Sequence, residues 1–535
     1  MERKILSNKL FLYLTEFFAG MSVMAVELGA SRLLAPYFSS SQIVWTIIIG
    51  TIMIAMALGN LYGGRKADRD PNPDKLYARV LIAALWIAAI PVVGKYIIIL
   101  ISGLLIFTIN SNFLVAAGFA SCMLIFVFPL FLLGTVTPSL AKYAMDSLDD
   151  SGSVIGRLNA SNTIGSIIGT FVPTFVSIPL VGTAITFLVF AGILLVLCLI
   201  YFLSTGAGLR KMKKLPLSVL LFFLCCLLGH NSSFAFWMND LLYEGESVYN
   251  YLQVYDDDKS VTLSTNVLFG VQSVYQKEKS LTGMYYDYAM AAPYMAGVHD
   301  KETLSILILG NGSGTYATQC ERYFDNVAIE GVEIDEKITD LAVTYFELPE
   351  DVAVTAYDGR AYLNAVEASY DVIMVDAYQD ITIPFQMSSL EFFEEVRDHL
   401  KPDGVMVVNM NMRGREEGNI NQYLADTIAR VFPSVYTVDV TGSTNRELFA
   451  SATDPLDTFD TNLASETDEA LSAMMTTIRE ALTPYEAGEY LMTDDKAPVE
   501  LLGMRIIDDL IADEVAYYKE IYQEEGLRGL LTSLS

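Results

Sequence analysis

Leu304-Ser-Ile-Leu-Ile-Leu-Gly-Asn-Gly-Ser-Gly314 is the stretch that decides the fold of the second half of this 535-residue chain. A short apolar run that ends in a glycine-rich segment predicts a buried β-strand followed by a tight turn into a helix. Glycines in such a turn let the backbone approach a ligand closely. The motif alone is a weak indication, and its position between a strand and a helix gives it weight.

Apolar runs and helical segments continue to alternate after this turn. Further strands are predicted at 327–334, 352–356, 371–375 and 404–409, with a helix at about 388–400. This alternation predicts an α/β, doubly wound, Rossmann-like sheet whose ligands bind beyond the carboxyl ends of the strands. Residues 246–276 alternate polar and apolar positions and predict a small N-terminal antiparallel β-sheet. The polar segments 411–420 and 441–470 are predicted to be loops.

Acidic residues stand where the predicted strands end. Glu333 ends the second strand, about 20 positions after Gly310, where a carboxylate is expected to accept hydrogen bonds from ribose hydroxyls. Asp358 follows the third strand and is expected to take the adenine amino group. Together with Gly310, Gly312 and Gly314, these residues predict a nucleoside site. The alternative is that both are ordinary loop residues on an acidic surface.

The first half of the chain has a different composition. The whole chain is 53% hydrophobic and 18% charged, with a mean hydropathy of +0.39, which excludes a disordered or a purely soluble protein. Apolar stretches long enough to cross a bilayer stop near residue 236, and the remainder is strongly acidic. We therefore expect a transmembrane domain of seven or eight helices at 1–240, a small β-sheet subdomain at 241–300 and a Rossmann-like domain at 301–535. The candidate spans are 10–30, 42–63, 78–109, 113–141, 158–178, 183–204 and 215–235.

The number of spans decides on which side of the membrane the acidic domain lies. A break at Pro91-Val-Val-Gly-Lys95 would divide the third stretch and give eight spans, with the domain inside. Seven spans place all four basic clusters inside and the acidic domain outside. Glu27 and Arg32 are ionisable residues at membrane depth, which indicates either a functional site or a local pair. Gly165-Ser-Ile-Ile-Gly169 is a pattern typical of close helix packing.

Composition also excludes some partners. The formal net charge of −29 argues against nucleic acid. The five cysteines and three histidines show no metal-ligand spacing, so we expect no metal. The segment 505–530 has the pattern of an amphipathic helical region, which indicates packing or a homodimer.

Taken together, the motifs resemble those of the spermidine synthases, which are polyamine aminopropyltransferases with the class I methyltransferase fold. The membrane part resembles that of bacterial membrane-fused spermidine synthase-like proteins, so the resemblance covers nearly the whole chain. The matching segments of the soluble part are Leu307–Gly314, Val332–Asp335, Asp358-Gly359, Tyr370–Asp376, Tyr249–Gln253, Val271-Gln272 and Tyr285–Asp287. Those of the membrane part and the C-terminal region are Glu27–Pro36, Gly63–Asp68, Gly134–Pro138 and Thr493–Glu500.

The resemblance implies transfer of an aminopropyl group from decarboxylated S-adenosylmethionine to a small amine such as putrescine. By motif position, Asp376 and Tyr285 would be the catalytic residues. Asp380 and Asp287 would hold the distal ammonium of the acceptor. Gln253 would contact the donor, and so would Gln272.

The sequence departs from the family at the glycine turn. An Asp of the family, which binds the donor's aminopropyl ammonium, is replaced by Ser313. A hydroxyl group cannot neutralise an ammonium. Two alternatives therefore stay open: a methyltransferase or other transferase that uses S-adenosylmethionine on a membrane-associated substrate, and a non-catalytic transport or scaffold protein. Because the donors are cytoplasmic metabolites, we expect a multi-pass protein of the cell membrane, in contact with the lipid bilayer, whose soluble domain is cytoplasmic.

Overall fold

The structure is a computed structural model that describes residues 8–38, 40–105, 112–144, 151–205, 215–230, 241–266, 271–278, 280–378, 383–411, 414 and 416–506, with scattered positions from 509 to 524. The chain divides into two compact units. One covers residues 1–239 with the short segments 244–251 and 266–268, and the other covers 240–243, 252–265 and 269–535. The predicted C-terminal amphipathic region at 505–530 lies largely outside the described residues.

The first unit consists of helices. Five of the described segments are long and apolar enough to cross a membrane, judged by length and composition: Lys9–Phe38, Gln42–Arg69, Pro73–Leu105, Val127–Ala144 and Gly152–Ser204. Phe113–Ile125 and Leu215–Gly229 are shorter apolar helices. A π-helix at Pro173–Ser177 joins α7 to α8, and Gly182 breaks the helical geometry near the start of α8. The helices are α1 (Lys9–Phe38), α2 (Gln42–Arg69), α3 (Pro73–Leu105), α4 (Phe113–Ile125), α5 (Val127–Gly134), α6 (Val136–Ala144), α7 (Ser151–Val172), α8 (Ile178–Ser204) and α9 (Leu215–Gly229).

Helix α3 corrects one expectation. The predicted break at Pro91 is wrong, because α3 runs through Pro91 without interruption for 33 residues. A proline removes one hydrogen bond of the helix, and packing on the neighbouring turns can hold the axis together. Ile87, Ile90 and Ile98 are all buried around it. The eight-span alternative therefore loses the feature on which it depended.

Small residues bring α1 and α7 together, as the glycine pattern predicts. A Cβ atom added at Gly165 would overlap the carbonyl oxygen of Phe17, and one added at Gly169 would overlap that of Met21. Next to this contact Glu16 is fully buried, and its Oε1 accepts hydrogen bonds from Thr137 Oγ1 at 2.5 Å and Asn162 Nδ2 at 2.9 Å. Glu16 was not predicted from the sequence, which drew attention to Glu27 of the same helix instead.

The second unit is built on an eight-stranded sheet, and the predicted α/β doubly wound architecture is confirmed. Its strand order is β12-β10-β11-β9-β8-β5-β6-β7, with β9, β8, β5, β6 and β7 parallel and β10, β11 and β12 antiparallel. The order reverses at β5, so the crevice beyond β5 and β8 is where a ligand is expected. The strands are β5 (Leu304–Leu309), β6 (Val327–Glu333), β7 (Ala353–Ala356), β8 (Tyr370–Val375), β9 (Leu400–Met410), β10 (Ser434–Asp439), β11 (Arg446–Ser451) and β12 (Thr483–Pro484).

Helices cover both faces of this sheet. They are α10 (Tyr285–Ala289), α11 (Ala291–Met295), α12 (Thr315–Tyr323), α13 (Glu336–Tyr345), α14 (Gly359–Ala365), α15 (Leu390–Asp398), α16 (Ile420–Val431), α17 (Leu456–Ala464) and α18 (Glu469–Ala481). A short 3-10 helix at Phe385–Met387 precedes α15. One continuous apolar core joins α10, α11 and α12 to the strands β5, β8 and β9.

The predicted small antiparallel sheet is also present. It consists of β1 (Leu241–Glu246), β2 (Tyr251–Asp256), β3 (Ser260–Thr265) and β4 (Ser273–Gln276), in that order. Leu252 and Leu263 of this sheet form a buried cluster with Ile338 and Leu341 of α13. The small sheet is thereby held against the larger one, close to the glycine-rich turn.

The prediction of a loop over 441–470 is wrong. Strand β11 and helix α17 lie in this segment, and β11 pairs with β9 and with β10. The run Leu448-Phe-Ala450 is too short to stand out among polar neighbours, and pairing on both sides is what buries it. Phe459 anchors α17 in the same way, since it is fully buried while the acidic residues around it face outward.

Candidate functional site

The glycine-rich turn between β5 and α12 has the backbone conformation that the sequence predicts. Gly310, Gly312 and Gly314 all have positive φ values, of 89°, 52° and 79°. A Cβ atom at Gly310 would lie 2.5 Å from the carbonyl oxygen of Asp376, so the turn also requires glycine for space. The three predicted glycines therefore shape a close backbone approach between the end of β5 and the end of β8.

Glu333 holds this turn from the end of β6. Its Oε2 accepts a hydrogen bond from the Gly312 amide at 2.9 Å, and its Oε1 accepts one from the Asp335 amide at 3.0 Å. Burial raises the pKa of the Glu333 carboxyl group to about 7, although both hydrogen bonds act in the opposite direction. Each carboxylate oxygen can accept a second bond, so Glu333 remains able to bind a pair of hydroxyl groups.

Asp376 lies at the carboxyl end of β8, next to the turn. Its Oδ2 accepts a hydrogen bond from the Tyr285 hydroxyl at 2.6 Å, and its Oδ1 accepts one from Asn409 Nδ2 at 2.9 Å. Burial raises the pKa of Asp376 from 3.8 to about 7, and the negative charge of Glu333 adds to this effect. A carboxyl group with a pKa near neutrality suits a general base that works at neutral pH.

Two buried amide side chains, one on β2 and one in the turn, lack hydrogen-bond partners among the described residues. Gln253 on β2 is 1% exposed and Asn311 in the turn is 6% exposed. Among the described residues, neither the oxygen nor the nitrogen of either side chain has a hydrogen-bond partner. Buried polar groups are normally paired, so these four atoms fit a polar ligand such as a nucleoside. The amide of Ser313 and the Oγ of Ser273 on β4, 3.4 Å apart, connect the small sheet to the turn.

The remaining predicted residues differ in their exposure and in the hydrogen bonds that their side chains already make. Asp358 uses one oxygen to cap α14 through the Ala361 amide, at 2.9 Å, and is partly exposed. Gln272 is half-buried, and its side-chain oxygen is 3.4 Å from Thr265 Oγ1. Ser313 is 1% exposed, and its hydroxyl is 3.0 Å from that of Thr315.

Asp287, predicted to bind substrate, has its oxygens in use. It is fully buried, and its two oxygens accept hydrogen bonds from the Gly283 amide at 2.6 Å and from Gln319 Nε2 at 2.7 Å. These contacts fix the segment that carries Tyr285. As with Glu333, each oxygen can still accept a second hydrogen bond, so contact with an ammonium group stays a prediction. Asp380, the other predicted substrate-binding residue, lies outside the described residues.

Sequence analysis missed two residues of this site. Asn409, at the end of β9, holds Asp376, and its own Oδ1 accepts a hydrogen bond from Asn445 at 2.8 Å. Glu447 on β11 is paired with Asn409 in the strand register and is fully buried. Asn409 could have been predicted from the sequence, because it stands at the end of a predicted strand of the parallel sheet. Glu447 could not, since its segment was assigned to a loop.

Comparisons with known proteins identify a family for this chain. Residues 287–445 match the family described as the spermine/spermidine synthase domain. A probable polyamine aminopropyl transferase of Bifidobacterium longum is 50% identical over 356 residues, which cover 63% of this chain and 78% of that protein. An eEF1A lysine and N-terminal methyltransferase of Xenopus laevis is 27% identical over 157 residues, covering 27% of this chain and 22% of that protein. The crystal structure of a probable spermidine synthase from Corynebacterium glutamicum is 19% identical, with a TM-score of 0.36, and covers 47% of this chain and 97% of that chain.

Proposed function

Because this chain belongs to the polyamine aminopropyltransferase family, we propose that it transfers an aminopropyl group from decarboxylated S-adenosylmethionine to a diamine such as putrescine. The observation that carries the proposal is the environment of Asp376. Its carboxylate is held by Tyr285 and Asn409 at the crevice of the sheet, with a pKa raised to about 7. This is a base positioned at the expected ligand site, directly beside the glycine-rich turn.

The reaction requires little covalent chemistry from the protein. The acceptor is an ammonium ion at neutral pH, so it first loses a proton, which Asp376 accepts. The nitrogen lone pair then forms a bond to the aminopropyl carbon attached to the sulfonium, and the carbon–sulfur bond breaks. Its electron pair stays on sulfur, which leaves neutral methylthioadenosine. A rise of about three pKa units at Asp376 makes this proton transfer easier by roughly 4 kcal/mol compared with an ordinary aspartate.

The donor fits the other half of the crevice. Glu333 would bind the ribose hydroxyls of the donor. The amides of Gln253 and Asn311, which have no partner among the described residues, would bind its other polar groups. The backbone of the turn at Gly310 and Gly312 can approach the nucleoside because neither residue carries a side chain. Tyr285, with its hydroxyl on Asp376, orients the base toward the reacting nitrogen.

Ser313 supports one alternative. The described part of the glycine-rich turn carries no carboxylate for the donor's aminopropyl ammonium, and the Ser313 hydroxyl lies against Thr315. S-adenosylmethionine itself would then be a possible donor, as for a methyltransferase. A non-catalytic transport or scaffold role is the further alternative, and it would leave the raised pKa of Asp376 without a purpose.

The test uses full-length protein purified in detergent and supplied with 1,4-diaminobutane and either donor. Liquid chromatography with mass spectrometry follows the nucleoside product. Methylthioadenosine together with spermidine, both lost in Asp376→Asn, is the expected result. Adenosylhomocysteine formed from S-adenosylmethionine would favour the methyltransferase. No turnover with either donor would refute aminopropyl transfer to this diamine.

We also propose that the helical unit anchors the enzyme in the cell membrane with the soluble unit on the cytoplasmic side. The long apolar helices support the anchoring, and the cytoplasmic origin of the donor supports the orientation. The basic clusters favour the opposite side if α3 crosses once. Protease treatment of intact spheroplasts tests the orientation: a protected soluble unit is expected, and its release from intact spheroplasts would place it outside.

A further inference from the structure

Glu447 is a buried carboxyl group without a partner. It is fully buried, and among the described residues neither Oε1 nor Oε2 has a hydrogen-bond partner. No ion pair with Glu447 is found in the described part of the chain. A buried polar group that is unpaired is destabilising, and an unpaired buried charge is more so. Such a group is expected where a binding site needs a carboxylate, and its position in the fold shows which site that is.

That position is the crevice of the sheet. In the register of β11 and β9, Glu447 stands opposite Asn409, and residues directly opposite each other project from the same face of a sheet. Asn409 in turn donates its amide hydrogen bond to Asp376 at the end of β8. Asp376, Asn409 and Glu447 therefore form a row across three neighbouring strands, and the two acids are separated by about 10 Å at the backbone.

The two acids of the row, Asp376 and Glu447, interact electrostatically. Burial raises the pKa of Glu447 well above its ordinary value, and the negative charge of Asp376 raises it further. The charge of Glu447 also contributes to raising the pKa of Tyr316, at the start of α12, and of Tyr378, just after β8. Two acids on one face of the sheet, with no cationic side chain paired to either among the described residues, form a site suited to a substrate with positive charge at each end.

We propose that Glu447 binds a primary ammonium group that takes no part in the bond-forming step. Asp376 binds the other amine, which reacts. This inference rests on the proposed function and names a specificity-determining residue for it. Two groups have this chemistry: the far ammonium of the acceptor diamine, and the aminopropyl ammonium of the donor, which Ser313 cannot neutralise. The row across the strands favours the diamine, because its two nitrogens would extend from Asp376 toward Glu447.

The experiment compares the wild type, Glu447→Gln and Glu447→Asp as full-length protein in detergent. Asp460→Asn is the matched control, since it removes one negative charge from an exposed ion pair with Arg479. KM is measured for the donor, for 1,4-diaminobutane and for n-butylamine, which lacks the second ammonium. If Glu447 binds the acceptor, Glu447→Gln raises KM for the diamine by about 10- to 100-fold and leaves KM for butylamine unchanged. Glu447→Asp keeps the charge and is expected to fall between the two.

The other outcomes are equally decisive. A selective 10- to 100-fold rise in KM for the donor assigns Glu447 to the donor's ammonium and supports the inference by the second route. KM values for donor and diamine within the range of Asp460→Asn would overturn it. An equal rise in KM for the diamine and for butylamine, with KM for the donor unchanged, would also overturn the inference, because butylamine has no second ammonium group.

Stability and direct binding separate this inference from the proposed function. At alkaline pH, Glu447→Gln is expected to unfold at a higher temperature than the wild type, because the amide, although also unpaired, carries no buried negative charge. A lower unfolding temperature would indicate a structural role. Calorimetric titration of 1,4-diaminobutane in the presence of methylthioadenosine requires no turnover. If the wild type turns over but Glu447→Gln binds the diamine equally well, only the inference fails; if the wild type does not turn over, the titration still tests Glu447.

Discussion

Asp376→Asn is the substitution with the most informative combination of effects. Asparagine keeps the shape of the side chain and the acceptor for the Tyr285 hydroxyl, but it cannot accept a proton. Its amide nitrogen would face the amide nitrogen of Asn409, whose oxygen is already engaged by Asn445 at 2.8 Å. Loss of a general base typically lowers turnover by about 10²- to 10⁴-fold, and we expect a kcat within that range.

The same substitution is expected to stabilise the protein at alkaline pH. The folded-state pKa of Asp376 is raised from 3.8 to about 7, so its contribution to stability is present below pH 3.8 and is lost as the pH rises through 7. About three units correspond to roughly 4 kcal/mol, and the lost hydrogen bond from Asn409 offsets about 1 kcal/mol of that. Asp376→Asn should therefore exceed the wild type in stability at pH 8 by up to about 3 kcal/mol. Toward pH 4 the gain disappears and the variant should be less stable by about 1 kcal/mol, because only the lost hydrogen bond from Asn409 remains.

Two measurements check this prediction. Methylthioadenosine formation is followed from pH 6 to pH 9. The wild-type kcat/KM should increase with pH, with a midpoint near pH 7, and this limb of the pH profile should be absent in the variant. Thermal unfolding at pH 5 and at pH 8 gives the stability difference, with Asp460→Asn as the control for removal of one charge. Activity within threefold of the wild type, with the limb intact, would refute Asp376 as the base. Equal stability differences at both pH values would refute the raised pKa.

Three further substitutions test the rest of the assignment. Tyr285→Phe removes a hydrogen bond that lowers the pKa of Asp376, so the limb of the pH profile should move to higher pH and kcat/KM should fall by about 10-fold; an unmoved limb would contradict the contact. Glu333→Gln should raise KM for the nucleoside donor by about 10-fold while KM for the diamine stays unchanged, and steady-state kinetics with each substrate varied separately would detect the reverse pattern. Gly165→Leu should separate α1 from α7 and reduce the yield of monodisperse protein in detergent, whereas Gly156→Leu, where an added side chain meets open space, should not; equal yields would argue against this packing.

Much of the site follows from the sequence because local rules determine it. A strand that ends in glycines must turn tightly, and the ends of neighbouring parallel strands must meet at one edge of the sheet. These rules predict the roles of Gly310 and Glu333, whereas the role of Asp376 is implied by the resemblance to the spermidine synthases. The helix-packing pattern at Gly165 is equally local, since its spacing places both glycines of the motif on one face of α7.

Other features depend on contacts between distant parts of the chain. The continuity of α3 at Pro91 depends on packing around the proline rather than on the proline itself. The surroundings of the Asp287 carboxyl group depend on Gln319 of α12, which donates a hydrogen bond to one of its oxygens. Neither contact can be predicted from the spacing of residues in the sequence.

The clearest division between sequence and structure lies in the row of Asp376, Asn409 and Glu447. The first residue of this row is determined by the sequence, because it ends a parallel strand beside a glycine-rich turn. The last depends on β11 pairing with β9 in one register, and a shift by one residue would turn Glu447 to the opposite face of the sheet. The sequence thus predicted the acids at the ends of β6 and β8, whereas only the tertiary structure, through antiparallel pairing of β11 with β9, brought Glu447 to the same face of the sheet as Asn409.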